Sequence, residues 1–219
     1  MEIKQNERKE EEKIKSFDEL IKENIKELTE GIDALKLGKN GKEFTKEQQK
    51  IINLFAMFRV FSTMKMLKED NIPIELINGL FIGTVGAAMN YKVLKEKGIT
   101  HIICAAMNIK EYFPKQFKYL TVKLLDSETE NIKKYFDQTG KFINDALKEK
   151  GKVLVHCHAG ISRSSTICLA YIIKYRKISL DKALEIVKKK RDKINPNPGF
   201  MQQLREYQKE CGVQDWVFY

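Results

Sequence analysis

No stretch of this chain approaches the roughly 20 consecutive apolar residues that cross a bilayer, so no membrane span is expected. Residues Met1 to Glu12 are almost all charged or polar, so a secretory leader with its apolar centre is not expected. The four cysteines lack the spacing of a disulfide framework, as in proteins of reducing compartments. The cytoplasm is the expected location, with the nucleus also open to it. No internal repeat is visible. Zinc-finger, RNA-recognition and helix-turn-helix signatures are also missing, so nucleic acid is not an expected partner despite a net charge of +10. That excess also suits acidic, phosphorylated partners. Its densest cluster, Lys188-Lys189-Lys190-Arg191, falls late in a helical stretch, where surface cations offset the helix dipole.

What is present suffices for one domain of ordinary size plus an extension: 219 residues, 42% hydrophobic and 32% charged. In the extension, Ile14, Phe17, Ile21, Ile25, Leu28, Ile32 and Leu35 recur at steps of three or four and predict a helix over about 7–37. Gly38-Lys39-Asn40-Gly41 marks a turn. A second helix is expected over 45–69, opened by Thr45 and Gln48 as a capping box. It is rich in large apolar residues and carries Lys46, Lys50, Arg59, Lys65 and Lys68. Burial as an extra core helix on the domain that follows is one reading. A calmodulin-like partner, or a membrane surface, is the other.

From Ile74 onward, short apolar runs alternate with helical ones. Strands are expected at Leu80–Gly83, Ile99–Cys104, Tyr119–Leu125 and Lys152–Val155. Helices are expected at Ala87–Lys97, Asn131–Lys150, Leu180–Asp192 and Phe200–Glu210. The fold class is α/β, a central mixed, mostly parallel sheet flanked by helices. Domain limits are 1–73 for the helical extension, 74–211 for the α/β domain and 212–219 for a tail.

The densest chemical signal is the run Val155-His156-Cys157-His158-Ala159-Gly160-Ile161-Ser162-Arg163-Ser164. A buried strand precedes it, and a helix over Ser165–Ile173 follows. A strand, a tight loop and a helix N-terminus make an anion site, because backbone N–H groups and the helix dipole favour negative charge there. Such a field promotes the thiolate, the nucleophilic form of cysteine. Arg163 adds a planar fork suited to phosphate oxygens. His156, Cys157 and His158 are too close together to close a tetrahedral metal site, and neither metal nor cofactor is expected.

This run resembles the His-Cys-(five residues)-Arg-Ser/Thr signature of cysteine-dependent protein phosphatases. Gly160, Ser162, Arg163 and Ser164 make it similar to the dual-specificity subgroup, because the tyrosine-specific enzymes usually carry glycine where Ser162 stands. The resemblance extends over about 74–211 through Gly79-Leu80-Phe81-Ile82-Gly83, Gly98-Ile99-Thr100-His101-Ile102 and Asn197-Pro198-Gly199-Phe200. Asn71-Ile72-Pro73 and the apolar helix before it are most similar to the small (atypical) plant-type members, which implies MAP kinases among the substrates. Ala170-Tyr171-Ile172-Ile173 departs from the family's usual Leu-Met ending, a volume-conserving change.

Phosphomonoester hydrolysis needs a nucleophile, charge stabilisation on the equatorial oxygens, and a proton for the leaving group. Cys157 is the candidate nucleophile, forming a phosphocysteine. Arg163 and the N–H groups of His158, Ala159, Gly160, Ile161, Ser162 and Arg163 are the candidate phosphate cradle. Asp126 follows a buried strand, at the kind of strand end where α/β active sites lie. By resemblance it is the mobile acid-loop aspartate; Glu128 and Glu130 are its local rivals. Ser164 is placed to donate to the Cys157 sulfur as it departs, or to cap the helix. His156 is expected to orient the loop, and His101 to be a satisfied sheet histidine. Cys104 and Cys168 read as core thiols. Two further readings stand beside a protein phosphatase: an inactive phosphate-binding adaptor, and a phosphatase of lipid, glucan or RNA 5′-phosphates. The adaptor is disfavoured by the retention of Cys157, Arg163 and Asp126. The absence of lysines inside the loop argues against lipid phosphate.

Overall fold

The computed structural model describes residues 14–35 and 44–214. They fall into two compact units that divide between Glu69 and Asp70.

The first unit is a pair of helices in contact, α1 (Phe17–Leu35) and α2 (Lys46–Glu69). α1 opens at Phe17, within the helix expected over 7–37. Ser16 and Glu19 form a capping box, with Ser16 N donating to Glu19 Oε2 at 2.7 Å and Glu19 N donating to Ser16 Oγ at 3.3 Å. Residues 7–13 and 36–37, and the turn at 38–41, lie outside the described residues. Along α1, Leu20 and Ile21 are buried.

The box expected at Thr45 is present: Thr45 N donates to Gln48 Oε1 at 3.0 Å and Gln48 N to Thr45 Oγ1 at 3.2 Å. Burial along α2 follows the helical repeat. Ile52, Ala56, Val60, Thr63 and Met64 are half-buried and Leu67 is buried. The other face carries Ile51, Leu54, Phe55, Met57, Phe58 and Phe61, each 55–71% exposed. Within this unit α1 leaves that face uncovered. A helix apolar on two sides cannot bury both against one neighbour.

The second unit holds a five-stranded sheet in the order β1-β2-β5-β3-β4. β1 (Ile74–Ile77) pairs antiparallel with β2 (Leu80–Gly83). Two short helices follow, α3 (Val85–Met89) and α4 (Tyr91–Glu96). One helix was expected over Ala87–Lys97; Asn90 breaks it by ending α3 and accepting Val93 N at 3.4 Å to start α4. β3 (His101–Ala105), β4 (Lys118–Val122) and β5 (Val153–His156) are mutually parallel in the order β5-β3-β4, and β2 runs parallel to β5. β3 and β5 are buried at every position, as strands covered on both faces must be.

A 3₁₀ turn at Lys133–Tyr135 leads into α5 (Phe136–Lys148). Next come α6 (Arg163–Arg176), α7 (Leu180–Lys190) and α8 (Pro198–Glu210). Phe136, Ile143, Ile167, Leu169, Phe200 and Leu204 join the sheet in one apolar core. Because β3, β4 and β5 are parallel, their C-terminal ends share one edge, the usual place for a site in an open α/β sheet. No helix among the described residues is long and apolar enough to cross a membrane.

Candidate active site

Cys157 is the first residue after β5 and is 1% exposed. The loop beyond it curls back over the sulfur. Gly160 N donates to Cys157 Sγ at 3.2 Å, and Ser164 Oγ lies 3.3 Å from it. The curl requires glycine: Gly160 has φ +66°, and a Cβ there would stand 2.7 Å from Arg191 Nη2 and 2.8 Å from Gly83 O. On the other side, Val85 N holds the His158 carbonyl at 3.0 Å. The loop then feeds α6, whose N-terminus opens at Arg163 and directs its dipole towards the sulfur and cradle.

Ser162 is the N-cap residue of α6, but its hydroxyl does not cap the helix. It donates to Asp126 Oδ1 at 2.7 Å instead. Asn197 Nδ2 donates to the same oxygen at 3.0 Å. Asn197 N donates to Ser162 Oγ at 3.3 Å, while Asn197 Oδ1 accepts Phe200 N at 2.9 Å and so caps α8. Arg163 Nε stands 3.5 Å from Asp126 Oδ2, and Arg163 Nη1 donates to Leu124 O at 3.2 Å. Arg163 Nε is buried and makes no hydrogen bond among the described residues. A buried donor of this kind is suited to an anion's oxygen.

The structure thus brings Cys157, Arg163, Ser164, Asp126 and the loop 158–163 to one place. Of the rivals to Asp126, Glu130 accepts Leu125 N at 3.4 Å and faces Lys134 at 3.7 Å, and Glu128 is exposed. Asn197, which tethers the aspartate, stood out in the sequence only through Asn197-Pro198-Gly199-Phe200. Its N-cap position before a proline at the first turn was the available signal. Gly199 lets the two loops meet, because a Cβ there would lie 2.0 Å from Glu128 O.

Burial sets the other titratable groups apart. His156 is fully buried, which pushes its pKa down to about 4 against the opposing hydrogen bond to the Cys157 carbonyl. It is neutral at physiological pH. Burial pushes Cys104 up to about 12 and Cys168 up as well, as expected of inert core thiols. His101 contacts Thr100 Oγ1 at 2.8 Å through Nδ1 and packs edge-on against the Phe142 ring.

One element of the basic cluster corrects the sequence reading. Lys188, Lys189 and Lys190 are exposed in the last turn of α7, but Arg191 is 2% exposed. Its Nη1 and Nη2 donate to Asp70 Oδ1 and Oδ2 at 3.1 and 2.8 Å. Its Nε donates to Gly160 O at 2.9 Å, and Nη2 also donates to Ala159 O at 3.1 Å. Lys193 adds a second cation on Asp70. A charge this deep must be paired, since removing one partner of such a pair costs about 3–5 kcal/mol.

Comparison with known proteins agrees with this geometry. Residues 80–210 match the family model of the dual specificity phosphatase catalytic domain. The chain is 39% identical over 174 residues to dual specificity protein phosphatase 1 of Arabidopsis thaliana, covering 79% of this chain and 88% of that one. It is 38% identical over 164 residues to MAP kinase phosphatase with leucine-rich repeats protein 3 of Dictyostelium discoideum, covering 74% and 19% of the two chains. The crystal structure of human tyrosine phosphatase-like serine/threonine/tyrosine-interacting protein superposes with a TM-score of 0.62 at 40% identity, covering 64% and 97%. This chain belongs to the dual-specificity phosphatase family of cysteine-dependent phosphatases.

Proposed function

We propose that the chain hydrolyses phosphotyrosine and phosphoserine or phosphothreonine in proteins, with each step assigned to a residue of the site described. Cys157 thiolate attacks phosphorus in line and forms a phosphocysteine. Arg163 and the N–H groups of residues 158–163 hold the three equatorial oxygens as their charge is redistributed. Asp126 protonates the departing oxygen, then takes a proton from the water that hydrolyses the intermediate. Ser164 donates to the sulfur as it leaves in the second step. His156, neutral and buried, shapes the loop without moving a proton.

The observation that carries this reading is the convergence of two distant segments. Asp126 is held over the Cys157 loop by Ser162 and Asn197, so nucleophile, cradle and acid are all supplied by one chain. An anion-binding module alone needs no acid there. Cys157→Ser in the full chain is the direct test, since it is expected to bind phosphopeptide and lose turnover. Full activity in that variant would remove the mechanism.

For substrates we infer MAP-kinase-like phosphoproteins, supported by the names of two Dictyostelium relatives, MAP kinase phosphatases with leucine-rich repeats 3 and 1. The likeness to two Arabidopsis relatives supports placing the chain with the plant-type members. The catalytic work is assigned to residues 74–211, with Asp70 as an outlying anchor, residues 1–73 as the extension and 212–219 as the tail. Turnover of doubly phosphorylated kinase activation-loop peptides, measured beside inositol lipids, tests the substrate class. For residues 45–69, a calmodulin-like partner is proposed from their basic, apolar composition and exposed side chains. Titrating the full chain with calmodulin, with and without calcium, decides it; absence of binding removes the proposal.

A further inference from the structure

We propose that Arg191 is a positioning residue for the phosphate-binding loop: anchored on Asp70, its guanidinium holds the outward carbonyls of Ala159 and Gly160, and so turns the loop's N–H groups onto Cys157 and into the cradle. The proposal rests on the phosphatase reading above and adds to it a residue that touches neither substrate nor sulfur.

The argument follows the peptide planes. In a trans peptide the C=O and N–H bonds point in opposite directions, and no cis peptide is present among the described residues. The peptide between Ala159 and Gly160 has its carbonyl on Arg191 Nη2 at 3.1 Å and its N–H on Cys157 Sγ at 3.2 Å. One bond therefore fixes the other. The peptide between Gly160 and Ile161 has its carbonyl on Arg191 Nε at 2.9 Å, which directs the Ile161 N–H away from Arg191, towards the inside of the loop. Two successive donors are thus aimed by one side chain.

The side chain is specific to the task. Arginine presents Nε and both terminal nitrogens in one rigid plane, so it can span two carbonyls and a carboxylate at once. Lysine has a single donor centre and cannot. Gly160 is its complement, because a Cβ at that position would stand 2.7 Å from Arg191 Nη2. The anchor is suited as well. Burial opposes the charged form of Asp70, but hydrogen bonds from Arg191 and Lys193 outweigh it and lower its pKa, so Asp70 stays ionised against the buried cation. A guanidinium serving only the apolar core would have no reason to spend two of its contacts on this loop.

The test uses the full chain with Arg191→Lys and Asp70→Asn. Three quantities are read: the rate at which iodoacetate carboxymethylates Cys157 at neutral pH, by peptide mass spectrometry; the affinity for orthovanadate; and kcat and KM on p-nitrophenyl phosphate. A hydrogen bond to a charged group corresponds to about tenfold or more. Folded variants are expected to carboxymethylate about tenfold more slowly, bind orthovanadate about tenfold more weakly, and lose kcat/KM by at least as much. Folded variants with wild-type carboxymethylation and orthovanadate affinity would overturn the proposal. So would failure of both variants to fold, which would give Arg191 a role in the fold alone. Carboxymethylation needs no substrate. A wild-type chain that alkylates quickly yet hydrolyses no phosphate ester would therefore refute the phosphatase reading and leave the clamp standing.

Discussion

Ser162 donates its hydroxyl to Asp126 at 2.7 Å, joining two loops that are 36 residues apart in sequence. The residue that sequence reading used to separate dual-specificity from tyrosine-specific phosphatases is thus in contact with the candidate acid. Ser162→Ala is expected to lower kcat/KM on a phosphothreonine peptide about tenfold, part of the 10²–10⁴ that general acid catalysis supplies. For p-nitrophenyl phosphate kcat/KM should change little, because nitrophenolate leaves without a proton. Equal losses on both substrates would show that Ser162 serves the loop and not the acid.

Asp126→Asn removes the proton donor itself. On phosphothreonine peptide kcat/KM, which reports only the steps up to phosphocysteine formation, is expected to fall by about 10²–10⁴, with a much smaller fall in kcat/KM on p-nitrophenyl phosphate. Steady-state assays on the two esters check this; a uniform loss would transfer the acid role elsewhere.

Ser164 sits 3.3 Å from the sulfur. If it assists departure of the thiolate, Ser164→Ala slows the second step more than the first. Rapid mixing with p-nitrophenyl phosphate should then show a burst of nitrophenolate followed by a steady rate about tenfold lower, with phosphocysteine accumulating. A variant with a lower rate and no burst would place Ser164 in the first step or in the fold.

Stability should fall on mild acidification. His156 titrates at about 4 in the fold against 6.5 for the ordinary group, because burial opposes its charge. Between those values the unfolded chain binds the extra proton, so stability rises with pH through this window. It is fully present above 6.5 and is lost towards 4, by an amount on the order of 3 kcal/mol. His101, also lowered chiefly by burial, acts in the same direction. Urea midpoints at pH 7 and pH 5 measure the slope, and His156→Gln should flatten it. An unchanged slope in that variant would show that the histidine is not the source.

Gly199→Ala tests the contact between the two loops. Its Cβ would meet Glu128 O at 2.0 Å, so the segment carrying Asp126 must move. Turnover of phosphothreonine peptide is expected to fall while carboxymethylation of Cys157 holds its wild-type rate; slowing of both would mean that the whole edge of the sheet had shifted.

Local chemistry was the legible part of this chain. The strand-loop-helix around Cys157, the capping box at Thr45 and the strand-end aspartate are each stated within ten or so residues, and side-chain period and cap chemistry act over that range. Arg191 was not legible, because its meaning depends on Asp70, which lies 121 residues away, and it ends a run of exposed lysines. The break at Asn90 was hidden by apolar residues that continue through it. For α2, composition announced many large apolar residues but not which of them would be covered, since that depends on tertiary packing.

The uncovered face of α2 has a consequence for how the protein behaves as a colloid. Copies carrying a net charge of +10 repel one another at low ionic strength, which keeps the strip around Phe55 and Phe58 apart in dilute buffer. Added salt shortens the reach of that repulsion to about 8–10 Å near physiological strength and leaves the apolar attraction in force. The same preparation is then driven towards association by salt alone, with no change in its fold.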